Sequence, residues 1–371
     1  LKVGLFGGSF NPIHQQHLHI ARVAREKMNL AQVWFVPVFH PVHKSPDDFL
    51  DYKSRRELLR IALKNEPGFF ICDAEKELGG LSYTVRTVKH LLDHYPEHEF
   101  SLIIGGDSLN DLASWRCIDE LVSLVDFIVV ERPGFSRISP VSEAVIHWVE
   151  TEISAISSSQ LRQDLRQGKI PSEKDLQRNI LFSIFRHNYY SVGGMVYGKV
   201  LDHIQGRLSE LPAGLRFHIE HVAKDCFDYA LEHGQNLFNA ILAGLAHDLF
   251  RVSSADEIFS YAQKSHYKLT SVEKKIPMLA HGAASAGYLL AEYPEIDKSV
   301  LDAVRYHTSP VENLGWLSRA LILSDTLEAS RNMEERDKLR QARLPLEEKY
   351  IKVLEIKQRL ANKKNEMNGS G

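Results

Sequence analysis

The sequence predicts an α/β domain built on a doubly wound parallel sheet, followed by an all-α domain. Three observations carry this. Apolar, strand-like runs alternate with helix-period segments across residues 1 to about 150, the order that parallel βαβ units require. The polar singular residues fall in the loops after those runs, where an open α/β sheet takes its ligands. Beyond a glycine-rich stretch at 191–198 the apolar periodicity becomes wholly helical.

Strands are expected at Val3–Phe6, Val33–Val38, Phe69–Cys72, Phe100–Ile104 and Phe127–Val130, with helices at His17–Met28, Arg55–Lys64, Tyr83–His94 and Asp119–Leu124. The loops Gly7–His17, Pro37–Lys44, Gly105–Asp107 and Arg132–Gly134 then face one crevice. Helical patterns resume at Ser157 and run to Tyr190. They continue through Tyr197–Ser209, Arg216–His233, Asn236–Leu249, Leu279–Glu292, Ile296–His307 and Leu317–Arg331. Leu346, Tyr350, Val353, Ile356 and Leu360 recur at helical spacing in a charge-dense tail, and this stripe is expected to pack on its own domain rather than in a dimer. The boundaries are set at 1–190, a linker at 191–197, a helical domain at 198–335 and a tail at 336–371, with Gly369–Gly371 expected to be disordered.

At 371 residues, two domains can each bury a core. A net charge of −3 gives no footprint for nucleic acid or a membrane surface. Three scattered cysteines exclude a disulfide framework and a thiolate zinc site, and fit a reducing compartment. The chain opens on a strand with no apolar leader, and no run reaches the roughly 18 apolar residues of a membrane span. A cytoplasmic location is expected, with a homo-oligomer left open.

The first half is organised by Val3-Gly-Leu-Phe-Gly-Gly-Ser-Phe-Asn-Pro-Ile-His-Gln-Gln-His17. It reads as strand, glycine turn and helix start. Gly7, Gly8 and Ser9 let backbone N–H groups approach an anion, the helix N-terminus adds positive dipole, and His14 and His17 point to the same place. Ser157, Ser158 and Ser159 open a later helix with Arg162 one turn in, a second set of hydroxyls and a fixed cation for phosphate. Lys44 in Pro41-Val-His-Lys44 adds a strand-end cation. Gly105-Gly-Asp107-Ser, with Trp115 beyond it, offers a polar clamp and an aromatic face.

GGSFNPIHQQH, the Ser82–Thr84 SYT, IIGGDS with its following Trp, ERPG at Glu131–Gly134 and ISSSQLR occur in the order found in the bacterial nicotinate-nucleotide adenylyltransferases. The first 190 residues resemble that family, ending in the Phe185–Tyr190 FRHNYY segment. The resemblance implies a Rossmann-like nucleotidyltransferase domain that uses ATP with Mg²⁺. In it His14, His17, Arg162 and the serines at 157–159 hold ATP phosphates, with Lys44 assisting. Thr84, Asp107 and Trp115 would handle the pyridine nucleotide, and Glu75 falls at an acidic position of the family. The chain departs from the pattern at Asn11 for aspartate, at Gln15-Gln16 where a glycine precedes the second histidine, at Val42 for proline and at Ser159 for threonine.

The helical half places His218, His247-Asp248, His281, His307 and Asp325 in or beside apolar segments, where an uncompensated polar group is costly. One such histidine is ordinarily a satisfied core residue. Four with two aspartates on successive helices suit a thiolate-free site for Mn, Fe, Co, Ni or Zn, often a carboxylate-bridged pair that activates water for phosphate displacement. His221 rivals His218. Residues 198–332 resemble the HD-superfamily phosphohydrolases, nearest the bacterial enzymes that cleave diadenosine tetraphosphate symmetrically, in HD itself, AHGAASA, RYHTS and LSDTLEASR. That resemblance implies a di-metal site of Fe, Mn or Co. His218, His247, Asp248 and Asp325 would hold one ion, and His281 and His307, with Asp248 bridging, the other. Arg251, where a lysine is more usual, Thr308 and Arg331 would meet substrate phosphates.

The reading is a bifunctional enzyme whose small-molecule partners are ATP, nicotinate mononucleotide and diadenosine tetraphosphate, with no nucleic-acid or membrane partner. Its alternatives are an adenylyltransferase for nicotinamide mononucleotide or another phosphorylated acceptor, and a helical half that hydrolyses another nucleotide or only binds one.

Overall fold

The structure is a computed structural model that describes residues 1–40, 49–131, 138–152, 154–328, 334–342 and 344–368, with side chains to 359. Lys44, Arg331, the Arg132–Gly134 loop and Gly369–Gly371 lie outside the described residues. The chain divides into two compact units, Leu1–Ile184 and Phe185–Gly371.

Among the described residues, six strands build the first unit: β1 (Lys2–Gly8), β2 (Gln32–Pro37), β3 (Phe69–Ile71), β4 (Glu99–Gly105), β5 (Asp126–Glu131) and β6 (Ile146–Glu150). All are parallel, in the order β3-β2-β1-β4-β5-β6. Helices α1 (Gln15–Lys27), α2 (Tyr52–Leu63), α3 (Ala74–Leu78), α4 (Thr84–His94), α5 (Gly106–Asn110), α6 (Ile118–Leu124), α7 (Ser158–Arg166) and α8 (Arg178–Arg186) complete it. Val3, Leu5, Val33, Phe35, Leu102, Ile103 and Phe127–Val130 are buried, as unbroken apolar strands must be when helices cover both faces. The strand order reverses between β1 and β4, so the crevice opens between Gly8 and Gly105 at their carboxyl ends. The five expected strands are all present, and β6 is additional. It is an edge strand whose residues are mostly half-exposed, so it carries no apolar run to betray it.

The second unit is helical: α9 (Gly194–Glu210), α10 (Ala213–Glu232), α11 (Leu237–Ala246), α12 (Ala255–Lys264), α13 (Ser271–Lys275), α14 (His281–Glu292), α15 (Lys298–Tyr306), α16 (Trp316–Leu327), α17 (Glu334–Gln341) and α18 (Leu346–Asn368). Helix α16 is buried almost all round, from Ala320 to Leu327, which makes it the central element. The tail is part of this core. Leu346, Val353 and Ile356 of α18 pack with Leu339 against Ala320, Ile322, Leu323 and Leu327.

The stretch expected as a linker, 191–197, is largely structured. A 3₁₀ turn at Tyr189–Ser191 runs into it and α9 begins at Gly194. Gly193 serves packing, since a Cβ on it would lie 2.3 Å from the Tyr197 ring, while Gly194 supplies a positive φ of 72° at the start of α9. Close approach matters again at Gly282, where a Cβ would meet the Val304 carbonyl at 2.6 Å. Helix α14 thus lies tight against α15, and residues 281 and 307 become neighbours.

Candidate active site and candidate metal centre

In the first unit, α1 and α7 are tied together at their N-termini. Arg162 donates through Nη1 to the Asn11 carbonyl at 2.8 Å and through Nη2 to Ser159 Oγ at 3.3 Å. Ser158 Oγ donates to the Pro12 carbonyl at 2.9 Å. Ser154 donates to Gln16 Oε1 from both its N–H and its hydroxyl, each at 3.0 Å. Ser157 caps α7 by accepting from the Gln160 N–H at 3.2 Å. Two positive helix ends therefore face one place beside the β1 turn. The hydroxyl proton of Ser158 is committed to this tie, which leaves Ser157 and Ser159, whose oxygens accept, as the hydroxyls that can still donate outward.

The histidines follow from that frame. His14 is the N-cap of α1, and its N–H donates to His17 Nδ1 at 3.2 Å, with the rings 3.8 Å apart. With Nδ1 accepting, the proton of a neutral His17 sits on Nε2, so the ring offers a donor there. Its other side rests on Phe10, at 5.2 Å between centroids. His14 is buried, and burial pulls its pKa down to about 4 against the attraction of Asp175. Among the described residues no atom lies within 4 Å of the place a Cβ on Gly7 would take, so the β1 turn leaves room for a ligand to reach the backbone.

Thr84 is the first residue of α4, Asp107 is exposed in the first turn of α5, and Trp115 is half-buried against the sheet core. Glu75 Oε2 accepts from the Phe39 N–H at 2.9 Å, and Ser82 Oγ accepts from the Phe39 and His40 N–H groups at 3.1 Å. This pair fixes the strand-end loop after β2. Burial, opposed by Ser82, raises the Glu75 pKa. Sequence reasoning passed over Arg55. It is 1% exposed and donates to the carbonyls of Ser9, Val38 and Leu50 at 2.9, 2.6 and 2.9 Å, locking together the loops that follow β1 and β2.

In the second unit, six side chains converge as two buried groups, His218–His247–Asp325 and Asp248–His281–His307, either of which could hold a metal ion. His221 points elsewhere, its Nδ1 on the Phe217 carbonyl at 2.8 Å. Asp248 is fully buried and divided between the groups. Its Oδ1 lies 2.9 Å from His281 Nε2 and 3.4 Å from His307 Nε2, and its Oδ2 lies 3.5 and 3.7 Å from the Nε2 atoms of His247 and His218. Asp325 Oδ1 lies 3.2 Å from His218 Nε2 and 3.9 Å from His247 Nε2.

The outer nitrogens decide what the inner ones can do. His247, His281 and His307 each place Nδ1 on the carbonyl three residues back, of Gly244, Met278 and Val304, at 2.7, 2.5 and 2.7 Å. His218 Nδ1 faces the buried Glu328 carboxylate at 3.3 Å. With Nδ1 donating outward, each ring when neutral presents the lone pair of its Nε2 inward. Yet the Nε2 atoms of His281 and His307 are 3.0 Å apart, and those of His218 and His247 3.3 Å. Facing lone pairs at such distances, beside two carboxylates, fit cations between them. Burial lowers the pKa of His247 to about 4 and that of His307 below its ordinary value, while at His218 the pull of burial is outweighed by Asp325 and Glu328. Glu328, one residue past α16, was not foreseen.

Around this centre, Arg251 donates to Asp248 Oδ2 at 2.9 Å and Thr308 Oγ1 lies 2.9 Å from His307 Nε2. The stretch 252–279, between the expected helices Asn236–Leu249 and Leu279–Glu292, holds α12 and α13 and is anchored by a buried pair, Arg305 with Glu273, at 2.7 Å. Lys357 of α18 donates to the His307 carbonyl at 3.0 Å.

Residues 5–164 match the cytidylyltransferase-like family model and residues 217–359 the HD domain model. The chain is 44% identical over 168 residues to a probable nicotinate-nucleotide adenylyltransferase of Shouchella clausii, covering 45% of this chain and 86% of that protein. It is 37% identical over 171 residues to a protein of the same description from Salinibacter ruber, covering 46% and 88%. Among solved structures, Plasmodium falciparum nicotinic acid mononucleotide adenylyltransferase complexed with NaAD superposes with a TM-score of 0.46 at 21% identity, over 52% of this chain and 98% of that one. A predicted HD superfamily hydrolase involved in NAD metabolism from Clostridium acetobutylicum gives 0.40 at 24%, over 47% and 88%. By its N-terminal half the chain belongs to the nicotinate-nucleotide adenylyltransferases, and it carries an HD domain behind that half.

Proposed function

We propose that the first unit joins the adenylyl group of ATP to nicotinate mononucleotide, giving deamido-NAD and pyrophosphate. The observation that carries this is the joined pair of helix N-termini around His14, His17 and Arg162, together with family membership. The mononucleotide phosphate attacks the α-phosphorus in line. A new P–O bond forms as the bond to the pyrophosphate oxygen breaks, with no covalent enzyme intermediate. The acceptor phosphate is already anionic, so no general base is needed. His17 acts as an Nε2–H donor to the phosphates, and Arg162 and the α1 and α7 N-termini offset the charge that gathers on the leaving group. Mg²⁺ accompanying ATP would neutralise part of that charge. Lys44 would add a cation, and Thr84, Asp107 and Trp115 would receive the pyridine nucleotide. The test is pyrophosphate release with nicotinate and nicotinamide mononucleotides. A higher kcat/KM for nicotinate is expected, and release with neither would overturn the reading.

For the second unit the reading is metal-dependent hydrolysis of diadenosine tetraphosphate to two ADP. It rests on the division of Asp248 between two histidine groups. His218, His247, Asp248 and Asp325 would hold one divalent ion and His281, His307 and the other oxygen of Asp248 a second, with Fe, Mn or Co suiting these donors. Such a pair supplies a hydroxide nucleophile at neutral pH and charge neutralisation on the phosphate. Arg251, Thr308 and Arg331 would orient the substrate phosphates. Metal analysis of the purified protein should find about two transition ions per chain, with ADP formed from the dinucleotide. No bound transition metal, and no ADP after addition of Mn²⁺ or Fe²⁺, would leave a nucleotide-binding module instead.

A further inference from the structure

Gln16 takes part in neither role assigned above, yet it is one of the few buried polar side chains at the N-terminus of α1, 7% exposed. Its carboxamide is held in one orientation. Oε1 accepts from both the N–H and the hydroxyl of Ser154, and a backbone N–H can only donate, so the oxygen and nitrogen ends of the amide cannot be exchanged. The Nε2 group, with two N–H donors, has no partner among the described residues. It sits on the first turn of α1, between His14 and His17, and two further buried nitrogens of the same site, His14 Nδ1 and Arg162 Nε, likewise have no partner among the described residues.

Buried polar groups are nearly always paired, and an exception needs an acceptor supplied from outside or a functional reason. Three around one pair of helix N-termini point to a single incoming ligand rich in acceptors. We infer that Gln16 is a nucleotide-binding residue: its oxygen ties α1 to the segment before α7, and its Nε2 donates to an acceptor of bound ATP. Tie and donor sit on one side chain, so the amide is pre-oriented before the nucleotide arrives and loses little freedom when it binds. The inference rests on the first unit being an ATP site and is independent of which mononucleotide accepts the adenylyl group.

The two functions of Gln16 separate by substitution in the full chain. Gln16→Glu keeps an oxygen for Ser154 and replaces the donor by a second acceptor; Gln16→Met removes both. ATP affinity, by calorimetry with a non-hydrolysable ATP analogue, should fall at least about tenfold in Gln16→Glu, one lost charge-assisted hydrogen bond. Its melting temperature and its affinity for nicotinate mononucleotide should stay at the wild-type value. The same titration with ADP and adenosine locates the acceptor. A loss retained with ADP and absent with adenosine assigns it to the phosphates, and one present in all three assigns it to the nucleoside. Gln16→Glu that binds ATP like wild type would overturn the inference. So would a loss of affinity matched by lost mononucleotide binding and a lower melting temperature, since that is the signature of the tie alone. If Gln16→Glu is too unstable to assay, wild-type ATP affinity in a folded Gln16→Met overturns it equally. Wild-type chain that binds ATP but releases no pyrophosphate would defeat the proposed reaction while leaving this test standing.

Discussion

At the scale of single residues, His17 and Asp248 have opposite characters. His17 accepts at Nδ1 and so can only offer Nε2–H to a ligand. His17→Ala should lower kcat/KM for adenylyl transfer by about 10²–10³, the usual cost of one donor to developing charge, and leave dinucleotide hydrolysis unchanged. Asp248→Ala should do the reverse; parallel steady-state assays of both reactions read the two outcomes. His14 makes a pH prediction. Its pKa is near 4 when folded and near 6.5 when unfolded, so below pH ~6.5 the unfolded chain binds more protons. Stability from keeping this ring neutral is therefore present above ~6.5 and lost as the pH falls toward ~4. Melting temperature between those limits should fall less steeply in His14→Asn than in wild type. The six residues of the candidate metal centre were legible because each sits in or beside an apolar helical segment. Glu328 and Arg55 were not. A glutamate after a helix and an arginine in a helix both read as surface charge, and only tertiary packing turns them inward.

At the scale of elements, the same distinction recurs. The interior strands were legible from their apolar runs, whereas edge strand β6 and the polar helices α12 and α13 announced themselves weakly. The glycine-rich 191–198 stretch carried a composition that suits flexibility equally well as tight packing, and only the Tyr197 ring over Gly193 distinguishes them. Two element contacts can be tested. Gly282→Ala should cost about 1–3 kcal/mol in denaturant unfolding, because its methyl would press on the Val304 carbonyl, and hydrolysis should fall with the separation of His281 from His307. Lys357→Met removes the ammonium that α18 places on the His307 carbonyl. Hydrolysis should drop several-fold with adenylyl transfer intact, making the tail part of the second site.

At the scale of the whole molecule, two candidate sites with different demands lie in two compact units. Among the described residues no helix is long and apolar enough to cross a membrane. The first site would work through backbone N–H groups, hydroxyls and cations; the second sets four imidazoles and two carboxylates against one another, an arrangement that cations between them would reconcile. Chelation followed by Mg²⁺ alone should therefore restore pyrophosphate release, while ADP formation should return fully only with Mn²⁺, Fe²⁺ or Co²⁺. The carbonyls on which His247, His281 and His307 rest carry this further. Each imidazole is at once a clasp on the backbone and a candidate ligand, so turning a ring to suit an ion of another geometry means first breaking its hydrogen bond to the main chain. An ion bound there in an ill-fitting geometry would cost those clasps, and the penalty would appear as a less stable domain before it appeared as slower catalysis.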